Sequence, residues 1–130
     1  MTESVKDSGK ITYGSCPLNE ENMVDPSSGV FVAPKNGIYF FTFFAEIVNV
    51  NGANLQTYLV KEPKNGGTVY LGSIYNRFSV SNDIRSSHSL SVLAKLEKGD
   101  KVYIKKGDSD AYILGSSSEK LSMFSGFRIN

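Results

Sequence analysis

Between Val30 and Phe44 the chain places five of its eight phenylalanines. After Gly37 the order is Ile38, Tyr39, Phe40, Phe41, Thr42, Phe43, Phe44. In an extended strand successive side chains point to opposite faces. Tyr39, Phe41 and Phe43 then share one face, and Ile38, Phe40 and Phe44 share the other, with Thr42 as the single polar interruption. A half-exposed strand alternates apolar with polar residues, and this one does not, so both faces need cover. A second sheet of the same chain can cover one face. For the other, the simplest partner is another copy of the chain.

The remaining pattern is also that of strands. Short runs with β-formers or period-2 alternation lie at Ile11–Cys16, Val30–Ala33, Leu55–Lys61, Val69–Tyr75, Ser89–Glu97, Lys101–Lys105, Tyr112–Leu114 and Leu121–Ile129. Asn-Gly pairs at 36–37, 51–52 and 65–66 are hairpin signals, because both residues tolerate positive φ. Asn82-Asp83, Gly99-Asp100 and Gly107-Asp108 mark further turns. No window holds a 3.6-residue period over ten positions. Eight to ten short strands with frequent turns predict an all-β sandwich or jelly roll. The polar residues 1–10 read as a loose lead-in and 11–130 as one domain. At 130 residues the chain buries roughly two-thirds of its unfolded surface without needing a staple.

Composition narrows function mainly by exclusion. A net charge of +1 gives no concentrated basic field for nucleic acid or a membrane surface. No apolar run reaches the ~18 residues of a membrane span. The polar first ten residues lack the apolar core of a secretion signal, which leaves an intracellular or a processed chain. Cys16 is the only cysteine and forms no intrachain disulfide. His88 is the only histidine, so any His-based triad must use it, and a two-His metal site within one chain is excluded. Ser116-Ser117-Ser118 lacks a nucleophile elbow and a nearby base, and reads as a turn. Nothing here predicts an enzyme.

Three separated segments carry a resemblance. Tyr13, Asn19, Val24, Phe31, Gly37, Tyr39, Phe41 and Phe43 fall at the spacings of the signature of the complement C1q globular-domain family. Tyr13 stands where Phe is usual, and Val24 where an aromatic or Leu is usual; both keep an apolar body. Leu96-Glu97-Lys98-Gly99-Asp100-Lys101-Val102 resembles that family's Leu-x-x-Gly-Asp-x-Val segment. Phe124-Ser125-Gly126-Phe127-Arg128-Ile129 resembles its Phe-x-Gly-Phe-x-Leu/Ile close. The resemblance covers residues 11–130 and implies a ten-strand jelly roll, shared with the tumour necrosis factor ligands, that assembles as a homotrimer. It implies an extracellular, secreted, non-catalytic module that binds glycans, microbial patterns or proteins in innate immunity. A receptor-binding ligand and a structural trimerisation head are the alternatives.

Carried over residue by residue, the core and trimer seam fall to Gly37, Tyr39, Phe41, Phe43, Phe124, Phe127 and Ile129. Phe124 and Ile129 are an odd number of positions apart and so face opposite ways in a regular strand, unless Gly126 introduces a bulge. Some relatives bind calcium through loop carboxylates, but the matching positions here are Phe78 and Ser86, which do not serve as ligands. Asp83 is the nearest carboxylate there. Asp108 and Asp110 are the other metal candidates, with solvated turns the default for a cation that needs several oxygens. Lys98, Lys101, Lys105 and Lys106, with Lys95, lie close in sequence around Gly99 and are the candidate patch for an anionic glycan or a protein.

Overall fold

The computed structural model describes residues 8–13, 23–25, 27–50, 53–77, 84–115 and 122–130. Among these, ten strands run in the order β1 (Gly9–Lys10), β2 (Val24–Asp25), β3 (Val30–Val32), β4 (Gly37–Asn49), β5 (Leu55–Glu62), β6 (Val69–Asn76), β7 (Ile84–Leu96), β8 (Lys101–Lys106), β9 (Tyr112–Ile113) and β10 (Met123–Arg128). They form two antiparallel sheets. The larger has the order β2-β3-β8-β5-β6, with β1 joined to β8. The smaller has the order β10-β4-β7, with β9 joined to β4. This is the all-β jelly-roll sandwich expected from the strand pattern.

The aromatic strand β4 is the spine of the smaller sheet. It pairs with β7 from Gly37↔Leu96 to Asn49↔Ile84 and with β10 from Tyr39↔Arg128 to Phe44↔Met123. Its inward side carries Tyr39, Phe41, Phe43, Ala45 and Ile47, all buried. These side chains meet Phe31, Leu55, Leu59, Val102 and Ile104 of the larger sheet in one core. The rings pack by geometry as well as by area. Phe31 stands edge-on to Phe41 at 5.0 Å and to Tyr39 at 5.5 Å, and Phe124 stacks on Phe41 at 5.9 Å. Such pairs add about 0.5–1.5 kcal/mol each beyond their buried area.

Gly126 lies opposite Phe41, and a Cβ there would stand 2.4 Å from the Phe41 ring. Only a glycine leaves the ring this space. The register runs unbroken from Met123 to Arg128, so Gly126 makes no bulge.

Two expectations change. Asn65-Gly66 closes a hairpin, between β5 and β6, with Gly66 at φ 94°. Asn36-Gly37 instead lies between strands of different sheets, and Asn51-Gly52 lies outside the described residues. Gly37 itself opens β4, without positive φ. In addition, Gly9 and Lys10, within the stretch read as a lead-in, pair with Lys106 and Lys105.

Candidate functional site

The outward side of the smaller sheet is the first candidate. β4 contributes Ile38, Phe40 and Phe44, β10 contributes Phe127, and Leu93 comes from β7. Cross-strand partners point the same way, and Phe40 is paired with both Leu93 and Phe127. The Phe40 and Phe127 rings lie 5.5 Å apart. Ile129 follows at the edge, its amide donating to the Ile38 carbonyl at 2.7 Å. Leu93 is 65% exposed, Phe127 54% and Ile129 53%. The residues form one contiguous apolar area rather than scattered exceptions. Ser91 and Thr42, joined by a 3.3 Å hydroxyl bond, are its polar centre.

The seven residues assigned from sequence to core and seam now separate by face. Tyr39, Phe41 and Phe43 are buried inside the protomer, and Phe124 packs against the same core. Phe127 and Ile129 lie outward with Ile38, Phe40, Phe44 and Leu93. Gly37 is required for a close approach, since a Cβ there would meet the Asn130 carbonyl oxygen at 2.3 Å. Leu93 was missed by sequence reasoning, although its period-2 offset from Val92 and Ala94 marks it as outward.

The end of the sandwich holding the β7–β8 turn is built around Asp100. Its carboxylate accepts the backbone N–H of Glu97 at 2.9 Å and of Lys64 at 3.1 Å. The Lys61 ammonium lies 3.7 Å away. Burial pushes the Asp100 carboxyl up, but those two amides and the neighbouring Lys61 and Lys64 charges outweigh it and hold it below the ordinary value. Gly99, at φ 93°, makes the turn that aims the carboxylate inward. These contacts explain the Gly-Asp pair as a clasp between the β5–β6 hairpin and the β7–β8 turn. A cavity of about 430 Å³ lies beside it, lined by Lys61, Pro63, Lys64, Asn65, Lys95, Glu97 and Asp100.

The lysines grouped from sequence do not form one patch. β7 and β8 belong to different sheets, so Lys95 faces outward beside Ile38, on the opposite side of the sandwich from Lys101 and Lys105. Lys98 is exposed in the turn between them, its amide donating to Asn36 Oδ1 at 2.8 Å. Lys106 is a correction. It follows Val102 and Ile104 on the inward side, is fully buried, and donates to the carbonyls of Gly107 and Ser109.

Asp108 and Asp110 are exposed, and no group of three metal-ligating side chains occurs among the described residues. Asp83, Phe78, Cys16 and Ser116–Ser118 lie outside the described residues. His88 Nε2 is 3.0 Å from Ser86 Oγ, which accepts from Asn76 Nδ2 at 3.0 Å. On the outward side, Glu46 accepts from Ser87 Oγ and from Arg85 Nε, which together hold its carboxyl below the ordinary value. Neither arrangement joins a nucleophile to a base and an oxyanion site.

The C1q domain family model matches residues 1–129. The human complement C1q tumor necrosis factor-related protein 3 is 33% identical over 118 residues, covering 90% of this chain and 43% of that protein. The mouse protein of the same name is 33% identical over 117 residues, with the same coverage. The chain thus spans less than half the length of these curated relatives. Among solved structures, the globular domain of zebrafish complement 1qA superposes with TM-score 0.64 at 21% identity, covering 98% of this chain and 94% of that one. The tumour necrosis factor Eiger of S. frugiperda superposes with TM-score 0.69 at 11% identity, covering 82% and 68%. The two-sheet all-β order and the match of the family model along residues 1–129 agree: the chain belongs to the C1q domain family.

Proposed function

We propose that the chain is a non-catalytic recognition module that assembles as a homotrimer and binds carbohydrate, microbial-pattern or protein ligands outside the cell. The outward apolar side of the β10-β4-β7 sheet supports this reading most. A half-exposed phenylalanine leaves about 100 Å² of apolar surface wet, so covering each such ring is worth ~2–3 kcal/mol. Ile38, Phe40, Phe44, Leu93, Phe127 and Ile129 together supply several such increments on one flat area. A closed ring of three copies uses this area and leaves the rest of each sandwich free. The three heads then carry equivalent ligand sites, and weak sites gain avidity.

The reading is tested on a glycan and microbial-polysaccharide array with wild type and with Phe127→Asp. Saturable wild-type binding that collapses in the variant, with the variant folded by circular dichroism, supports multivalent recognition. Equal array binding by a monomeric variant overturns the link between assembly and recognition.

A further inference from the structure

The outward side of the larger sheet, opposite the apolar area, carries four of the seven tyrosines: Tyr58, Tyr70, Tyr75 and Tyr103. The register lays them out in rows. Val60 is paired with Tyr103 and Tyr70, Tyr58 with Lys105, and Glu62 with Lys101. β1 adds Lys10 beside Lys105. Tyr103 is held against Val30 and Val60, with Tyr58 packed on the same cluster. The Lys10 ammonium sits 4.6 Å from the Tyr103 ring centroid. The Tyr58 and Tyr70 rings lie 5.0 Å apart, and Tyr70 and Tyr75 are each 57% exposed. The rings are therefore fixed from below and open above.

Charge on this side is unevenly committed. Lys10, Lys101 and Lys105 enter no ion pair among the described residues, whereas Lys61, Lys64 and Arg85 do so elsewhere. Two carboxylates share this side: Glu62, cross-strand from Lys101, and Asp25, which accepts the Ser27 amide and hydroxyl. Among the described residues of this side, three ammonium groups stand against two carboxylates, and that excess beside exposed tyrosine rings favours an anionic occupant. Its form follows from the surface. Lysine is depleted in the cores of protein–protein interfaces, which are anchored in pockets. Tyrosine rings on a sheet instead accept the C–H face of a sugar, and their hydroxyls bond to its own.

We propose that this face, formed by Lys10, Lys101, Lys105, Tyr58 and Tyr70, binds an anionic glycan, with its sulfate or carboxylate groups on the lysines and a sugar ring on Tyr70. The inference rests on the recognition reading above and gives it a location. Because the face lies on the opposite side of the sandwich from the assembly area, three copies turn three such faces outward.

The test uses the whole assembled protein in isothermal titration calorimetry. The probes are a heparin hexasaccharide (sulfate), a hyaluronan hexasaccharide (carboxylate only) and chitohexaose (neutral). At least one anionic probe binds and chitohexaose does not. Lys101→Glu/Lys105→Glu weakens binding by about tenfold or more and Tyr70→Ser by about threefold or more, while Lys35→Glu, exposed in the turn between β3 and β4, changes it less than twofold. Three results overturn the assignment: no binding to either anionic probe, loss in the lysine variant with none in Tyr70→Ser, or equal competition by poly-glutamate, which would signify a protein partner. Array binding that survives both face variants removes this site and leaves the recognition reading standing.

Discussion

Replacing Gly126 with alanine places a methyl group against the most constrained ring in the core. The added Cβ falls 2.4 Å from Phe41 Cδ1 and 2.6 Å from Cε1. Carbon atoms rest at about 3.5–4.0 Å, so ring or strand must move by about 1 Å. The ring cannot retreat, because Phe31 stands edge-on at 5.0 Å and Phe124 and Tyr39 stack at 5.9 and 6.3 Å. The strand is fixed by its pairing with β4 on both sides of the site. Overpacking of this kind costs about 1–3 kcal/mol. In urea, with m near ~2 kcal/mol/M, the midpoint falls by about 0.5–1.5 M at unchanged m. Protein concentration must be held constant, because assembly is linked to stability. In a Phe41→Leu background the methyl has room, and the two substitutions combine to less than their sum by ~1 kcal/mol or more. A Gly126→Ala protein within about 0.3 kcal/mol of wild type, or strict additivity, would refute the packing argument and the Gly126↔Phe41 register with it.

Two tyrosines give opposite expectations for the same change. The Tyr39 hydroxyl donates to the Lys35 carbonyl at 2.7 Å, so Tyr39→Phe lowers stability by about 0.5–1.5 kcal/mol in thermal or urea unfolding. The Tyr13 hydroxyl is buried without a hydrogen-bond partner among the described residues, and burial pushes its pKa well above the ordinary value. Tyr13→Phe is therefore neutral or stabilising, and a loss above ~1 kcal/mol would show a hidden partner. Asp100, held below the ordinary carboxyl value, contributes stability that is fully present above about pH 4 and is lost as pH falls through its lower folded pKa. Asp100→Asn lowers stability at pH 7 and flattens the acid limb below about pH 4; parallel acid limbs in the two proteins would contradict the clasp. Tyr39→Ala and Phe124→Ala weaken the protomer itself, by about 3–5 kcal/mol where the ring is fully enclosed, since both rings point inward.

What the sequence revealed followed from the strands and their faces. The unbroken run from Ile38 to Phe44 announced a strand with two apolar sides, and both are present. Period 2 also separated Phe124 from Ile129. It was applied too weakly to Lys106, which follows Val102 and Ile104 by twos and lies inward with them. The first half of β7 was missed because Ser86 and His88, the inward positions there, are polar and bond to each other rather than to an apolar core.

Sheet membership was not legible. Asn36-Gly37 and Gly99-Asp100 look like hairpin turns, yet each crosses between sheets. A short turn signal carries local φ preference, whereas the partner of a strand is set by long-range packing. The same gap scattered the lysines. Lys95 and Lys101 are close in sequence but sit on opposite sides of the sandwich. Tyr103 lies on the outward side yet is buried, because Lys10, Val30 and Val60 gather over and around it, and no local signal shows this.

The account depends most on the outward side of β10-β4-β7 being covered by further copies of the chain. Sedimentation equilibrium at micromolar concentration reads this directly, with wild type beside Phe127→Asp. The wild type is expected at three times the 14.2 kDa protomer mass, and the variant, equally folded, shifts toward a single protomer. A wild-type particle of one 14.2 kDa chain, stable and soluble with those rings exposed, would contradict it.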